Sequence, residues 1–457
     1  MGPTRMLANY ACAAKYDDLP QEVVAHAKIA ILNILAVALG GYKTRIGKLH
    51  LELAKETGGG IPESTLIGDG EKVSCPFAAY ANGNLAFALD YEDVVLYTLH
   101  AGPVVIPAAL AVGEKVNATG KDFILATVLG YEIGTRIGLS MQPSPERGSK
   151  VWGQQYTPFA PCVSAGRLLG LNSDEMEIAF GVTGTYATVP SAYKYFGIVE
   201  ETRPMREVKL GWGWMSMAGV FGALSAKKGF RGGHGVLDGD EGFWIMSGSD
   251  QCDFEKMTEG LGMTYLILET EFKVHPSIAW NHPPHTAIKA LVEAHDIKPE
   301  DIEGVTVRGL GADRIADYDP AGPVDAMFSL PYTVATTILQ TKLLPDMYSQ
   351  DRLNDPRIKD LLKKIRIEPD ADADRIWFEE HRMVYSIDID LLGGKKVNTE
   401  VEYPKDKPPF GKPEVEDKFR TLSELSLSRN RVEEIIDLVD TLDELDDISA
   451  LTELLKP

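Results

Sequence analysis

The chain has 457 residues, about three times an ordinary single domain, so two or three structural units are expected. Hydrophobic residues make up 44% and charged residues 25%, which excludes a disordered, fibrous or membrane-embedded polypeptide. A net charge of −21, from 67 acidic and 46 basic residues, argues against nonspecific nucleic-acid binding and against docking on anionic membranes, although a local basic pocket can still admit an anion.

The first two thirds reads as helical. Pro20-Gln21-Glu22 opens a helix that runs to Leu39 and is expected to stop at Gly40-Gly41. Its most apolar run, Ile29 to Leu39, is too short to span a bilayer and contains Asn33, so it reads as a buried helix. Cys75 to Leu89 is rich in small residues that allow close helix packing, and Pro103 to Val116 and Phe123 to Leu139 continue the pattern. Ser173 is the expected N-cap of a helix through Phe180, and Trp212 to Lys227 forms another apolar helix. The glycines of Gly229 to Gly235 follow a helix rather than a strand, which fails the context a phosphate loop requires. From about residue 268 the character changes. Ile302 to Leu310 and Ile365 to Ile367 alternate as strands, and Met383 to Leu392, Gly393-Gly394 and Lys395 to Tyr403 read as a hairpin. Helices at His285 to Glu293 and Tyr332 to Leu339 lie between them. The four prolines of Pro404 to Pro413 mark a crossing segment, after which Val432, Ile435, Ile436, Val439 and Leu442 resume helical spacing. The expected layout is mainly α with an inserted α+β domain. A helical domain takes residues 1–267 and 404–457, and a smaller α+β lid takes 268–403.

Cys12, Cys75, Cys162 and Cys252 are widely spaced and read as reduced thiols of a cytoplasmic protein, and Met1 to Tyr10 carries no signal-peptide pattern. Among nucleophile, zinc and phosphate motifs, GxSxG, HExxH and GxxxxGK[ST] are all missing. His275, His282 and His285 invite a metal reading. However, Pro276, Pro283 and Pro284 disfavour a continuous helix there, and no cysteine or carboxylate cluster completes a shell, so a turn with polar, partly exposed histidines is expected and no metal. One stretch resists explanation as packing. Asp90, Glu92 and Asp93 follow the alanine-rich helix and His100 comes soon after. That places carboxylates and a histidine at the mouth of a packed domain, where they can act as acid and base or merely solvate a helix end.

Ala88-Leu89-Asp90-Tyr91-Glu92-Asp93, with His100 ten residues beyond Asp90, resembles a signature of the MmgE/PrpD family. The resemblance continues through Gly130 to Arg136, Ala165 to Leu171, Glu271 to Pro276 with His282, Phe328 to Tyr332, and Asp417 to Arg420. It implies a large helical domain from both chain ends with a small α+β lid, a cytoplasmic homodimer, no metal or organic cofactor, and a cleft that takes small di- or tricarboxylates. Carried over position by position, it implies catalytic roles for Asp90, His100, Lys273 and Tyr332. Arg206, Lys209, Asp93 and His275 become substrate-binding candidates. Structural alternatives stand beside these: Arg206 could pair with Glu207 or Glu201, Lys209 could be a surface lysine, and Tyr332 could simply pack. The chain also departs from the family pattern. Val94 stands where threonine is usual, Lys150 to Thr157 lacks a usual histidine, Arg206 and Lys209 replace lysine and histidine, and Ile278 replaces another histidine. The chemistry implied is proton removal next to a carboxylate, in a dehydratase, a decarboxylase or an epimerase, with a silent carboxylate-binding protein as the remaining alternative. Trp212 and Trp214 near the pocket point to a substrate with some apolar surface, or to a core role for both.

Overall fold

The computed structural model describes residues 1–199, 202–207, 211–341 and 344–457, apart from the side chains of Trp152, Phe196, Asp313, Pro345 and Phe378. The molecule is mainly α-helical, with small sheets.

Helix Gln21–Tyr42 is the centre of the helical part. Every residue from Ala30 to Gly41 is buried, by helices Cys75–Phe87, Gly102–Val116, Gly120–Ser140 and Lys412–Ser423 among others. By length and composition it could cross a membrane, but most of it lies inside the protein. The helix continues through Gly40 and Gly41, where the sequence predicts a stop. A Cβ on Gly41 would lie 2.0 Å from the carbonyl oxygen of Leu85, and one on Gly40 2.9 Å from Leu89. These glycines therefore permit close approach of helix Cys75–Phe87 rather than ending a helix. A second difference lies at Ser173. The N-cap is Asn172, whose side chain accepts from the N–H groups of Asp174 and Glu175 while Glu175 caps back, and the helix runs Ser173–Thr185.

The one larger sheet among the described residues has four strands in the order Lys395–Tyr403, Met383–Leu391, Ile302–Gly309, Ile365–Pro369. The first three run antiparallel and the last pair parallel. Burial alternates strictly along Met383–Leu391, so one face packs inward, and helix His282–Ala294 covers part of it. Gly393 and Gly394, at φ 85° and 83°, make the hairpin turn that only glycine adopts without strain. Past the hairpin, helices Lys412–Ser423 and Arg429–Asp440 pack on helix Gln21–Tyr42.

The histidine segment departs from expectation. Pro283 and Pro284 sit in the first turn of helix His282–Ala294, where a missing N–H costs nothing, so they start the helix instead of breaking it. His275, His282 and His285 are buried rather than partly exposed.

Candidate active site

A short ribbon assembles the charged residues. After helix Cys75–Phe87 the chain turns at Asp90 with φ 51°, a left-handed conformation that aspartate tolerates better than most residues. Strand Asp93–Val95 then pairs antiparallel with strand Thr270–Phe272, with Asp93 opposite Phe272. Lys273 follows at once, and its N–H donates to the carbonyl of Glu92 at 3.1 Å. The register thus fixes Lys273 against the acidic turn although 183 residues separate it from Asp90. Beyond the strand, Leu96 and Tyr97 reverse the chain at φ 48° and 52°, and His100 precedes helix Gly102–Val116.

Lys273 Nζ lies 2.5 Å from Asp90 Oδ1 and 2.8 Å from Glu92 Oε1, with all three groups buried. Burial alone would lower the Lys273 ammonium, but Asp90 and Glu92 hold it above the ordinary lysine value. Burial likewise works to raise Glu92, while the Lys273 charge, with help from His100, brings it below the ordinary carboxylate value. His100 Nδ1 stands 2.8 Å from Glu92 Oε1 and 3.0 Å from the carbonyl of Asp93. Acceptors around Nδ1 place the proton there, which leaves Nε2 as the lone pair able to take a proton. The carboxylate beside His100 is therefore Glu92, and Asp90 belongs to the lysine. The imidazole is held edge-on by Phe87 and Trp212, at ring-centroid distances of 5.7 and 5.1 Å.

These groups open on a cavity of about 210 Å³ that Asp90, His100, Lys273, Phe87, Trp212, Gln154 and Tyr156 help to line. Val94 and Ile278, two of the positions that depart from the family pattern, lie in its wall. Asp90, His100 and Lys273 are thus brought together. The other described candidates stand apart from the cavity lining. Asp93 is buried with both oxygens engaged, Oδ1 accepting from Gly102 N–H at 3.0 Å and Oδ2 from the Tyr131 hydroxyl at 2.7 Å, so it fixes the start of a helix. Tyr332 is buried, donates its hydroxyl to the carbonyl of Met347 at 2.6 Å, and packs near Tyr348. His275 is buried with Nδ1 3.1 Å from Ser277 Oγ, and its ring lies 4.3 Å from that of His285; burial pushes it well below the usual histidine value. Arg206 donates to Ser191 Oγ at 2.7 Å and sits over the Tyr195 ring, while Glu207 pairs with Arg45. Lys209 lies outside the described residues.

Lys418 is the participant whose role sequence reasoning passed over, and Glu92 was read only as one of three carboxylates. Lys418, on helix Lys412–Ser423, is buried beneath the site. Its Nζ donates to Asn33 Oδ1 at 2.8 Å, to the carbonyl of Tyr91, and to the carbonyl of Lys273 at 3.3 Å. It also lies 3.6 Å from the Tyr91 ring centroid. The signal was present in Asn33, a lone amide in the apolar run Ile29 to Leu39, which implies a buried polar partner.

Residues 5–255 match the model of the MmgE/PrpD N-terminal domain, and residues 275–444 that of the MmgE/PrpD C-terminal domain. The chain is 27% identical to cis-aconitate decarboxylase of Aspergillus terreus, covering 99% of this chain and 96% of that one. It is 22% identical to the human cis-aconitate decarboxylase, over 99% and 94% of the two chains. It is also 24% identical to the cis-aconitate decarboxylase-like protein oryM of Aspergillus oryzae, over 94% and 92%.

Proposed function

The chain belongs to the MmgE/PrpD family, and from that premise we propose a lyase, of dehydratase or decarboxylase type, that acts on a small di- or tricarboxylate by proton transfer at a carbon next to a carboxylate. The observation that carries the proposal is the placement of His100. Its Nδ1 is held by Glu92 and the Asp93 carbonyl, and its ring lines the same cavity as the Lys273 ammonium. His100 Nε2 takes the proton, and the electron pair left on carbon delocalises into the adjacent carboxylate. Lys273, buried and charged, stabilises the negative charge that develops there. Asp90 keeps Lys273 in position at 2.5 Å. The curated relatives named above are cis-aconitate decarboxylases, which supports a lyase on a polycarboxylate. An epimerase is the second reading. It needs only proton removal and return, and Val94 and Ile278 in the cavity wall leave fewer acid groups for a departing one. The reading takes the protein as a cytoplasmic homodimer that uses no metal or organic cofactor and binds neither nucleic acid nor membrane.

Proton NMR in D₂O with citrate, 2-methylcitrate, cis-aconitate, iminodisuccinate and substituted succinates tests it. Deuterium next to a carboxylate establishes the proton-transfer step. A new alkene then marks dehydration, loss of a carboxylate decarboxylation, and a deuterated stereoisomer epimerisation. His100→Gln should lower the exchange rate at least about a hundredfold; wild-type exchange in that variant removes His100 from the mechanism.

A further inference from the structure

Among the described residues the cavity is charged at one end only. The basic side chains of that lining are Lys273 and His100, and Lys273 already faces the two carboxylates of Asp90 and Glu92. A substrate carrying three carboxylates would place at least one of them away from both of these side chains. Aromatic side chains make up much of the remaining wall, beside Val94, Thr98, Gln142, Gln154 and Ile278. Trp377 meets Tyr97 edge-on at 5.2 Å and Trp280 at 6.4 Å, while Trp212 lies beside His100. Trp280 is seated by Gly311, where a Cβ would stand 2.5 Å from its ring and the backbone is left-handed at φ 62°. The aromatic wall is therefore built rather than incidental. Two polar atoms on lining residues also await partners among the described residues: the indole Nε1–H of Trp212, a residue 1% exposed, and the amide oxygen of Gln154, a residue 7% exposed. The first is a neutral donor suited to a carboxylate oxygen and the second an acceptor suited to a hydroxyl. A cavity of about 150 Å³ suffices to hold benzene, so 210 Å³ accommodates a ring and a short acid chain.

We propose that the substrate is a 2-hydroxy- or 2-substituted dicarboxylate bearing an aromatic or branched aliphatic arm, its acid end at His100 and Lys273 and its arm against Trp280 and Trp377. This rests on the proton-transfer reading only for where the reacting carbon lies; the arm's seat stands on the cavity wall. Citrate and 2-benzylmalate make the decisive pair, because they differ only in whether the third arm ends in a carboxylate or a phenyl ring.

Binding of each to the full-length protein is measured by calorimetry, and deuterium uptake by NMR. The expected result is at least tenfold tighter binding of 2-benzylmalate, with that preference reduced at least tenfold in Trp280→Ala or Trp377→Ala, and deuterium entering the CH₂ group next to its carboxylate. Equal or tighter binding of citrate overturns the inference, and if citrate then exchanges the proton-transfer reading survives. Preference for 2-benzylmalate without exchange supports the substrate class and counts against the proton-transfer reading. A preference that both tryptophan variants retain overturns the assignment of the arm to that wall, and binding of neither compound overturns the substrate class.

Discussion

Asp93 shows how a polar residue inside the site region differs from one that faces the cavity. Its carboxyl is pushed up to about 6, chiefly by burial. Between the unfolded value near 4 and that folded value the native state holds the extra proton, so this group's contribution to stability is full below about pH 4 and is lost as pH rises through 6. Asp93→Asn keeps an acceptor for Gly102 and a donor toward Tyr131. Its melting temperature should therefore gain on the wild type as pH rises from 4 to 7, while parallel profiles would show that Asp93 does not titrate there. Lys273→Met strands two buried carboxylates and should cost about 3–5 kcal/mol in denaturant unfolding. Asp90 and His100 were legible in the sequence as a carboxylate and a histidine at the end of an apolar helix, and Lys273 through the family resemblance of Glu271 to Pro276. Glu92 was legible only as one carboxylate of three, since only the ribbon's register decides which acidic residue meets the lysine and the histidine. Tyr332, His275 and Asp93 look equally reactive as letters. Whether such a group turns to a backbone neighbour or to a cavity is settled by tertiary contacts that one chain of letters does not contain.

Helices and strands were legible where one period dominated. The alternation of Met383 to Leu391 and the paired glycines at 393 and 394 forecast the hairpin, and small residues forecast the close-packed helix Cys75–Phe87. Gly40 and Gly41 misled because a glycine that ends a helix and one that lets another helix approach read alike. The distinction is measurable. Gly41→Ala forces a methyl against the Leu85 carbonyl and should destabilise the fold by about 1–3 kcal/mol, whereas a helix-ending glycine outside a left-handed turn would tolerate alanine. Lys418 joins three elements through one amino group. Lys418→Met leaves Asn33 and two carbonyls without their donor, and a loss of about 2–4 kcal/mol is expected in chemical denaturation. Turnover should fall with it, although Lys418 does not line the cavity, because the Tyr91 and Lys273 backbones lose their common anchor. Full turnover in a folded Lys418→Met protein would show that the anchor is dispensable.

At the scale of the molecule, the proposed acidic substrate meets the excess of negative charge at the buried Lys273 ammonium. Long-range attraction contributes little, so the substrate's apparent affinity should change only weakly with ionic strength; a steep salt dependence would imply an external basic funnel. The proposed homodimer has a surface suited to it. Trp214 and Phe221, seven residues apart on helix Trp212–Lys227, are partly exposed beside Tyr186. Light scattering should give twice the chain mass, and Phe221→Arg should halve it. An unchanged mass would place the interface elsewhere.

The anchor formed by Lys418 also has a consequence for synthesis. Tyr91 leaves the ribosome 327 residues ahead of Lys418, an interval on the order of tens of seconds at about 5–20 residues per second. Lys273 itself arrives 183 residues after Asp90. Until then the emerging amino-terminal helices carry Asp90 and Glu92 with no counter-charge to bury beside them. The nascent chain must keep that turn in water, and its innermost helix must wait for the last helices of the protein before it can close. Chains that terminate before residue 418 should therefore depend heavily on chaperones and be cleared quickly by proteolysis, even though they contain every residue placed here at the reacting carbon.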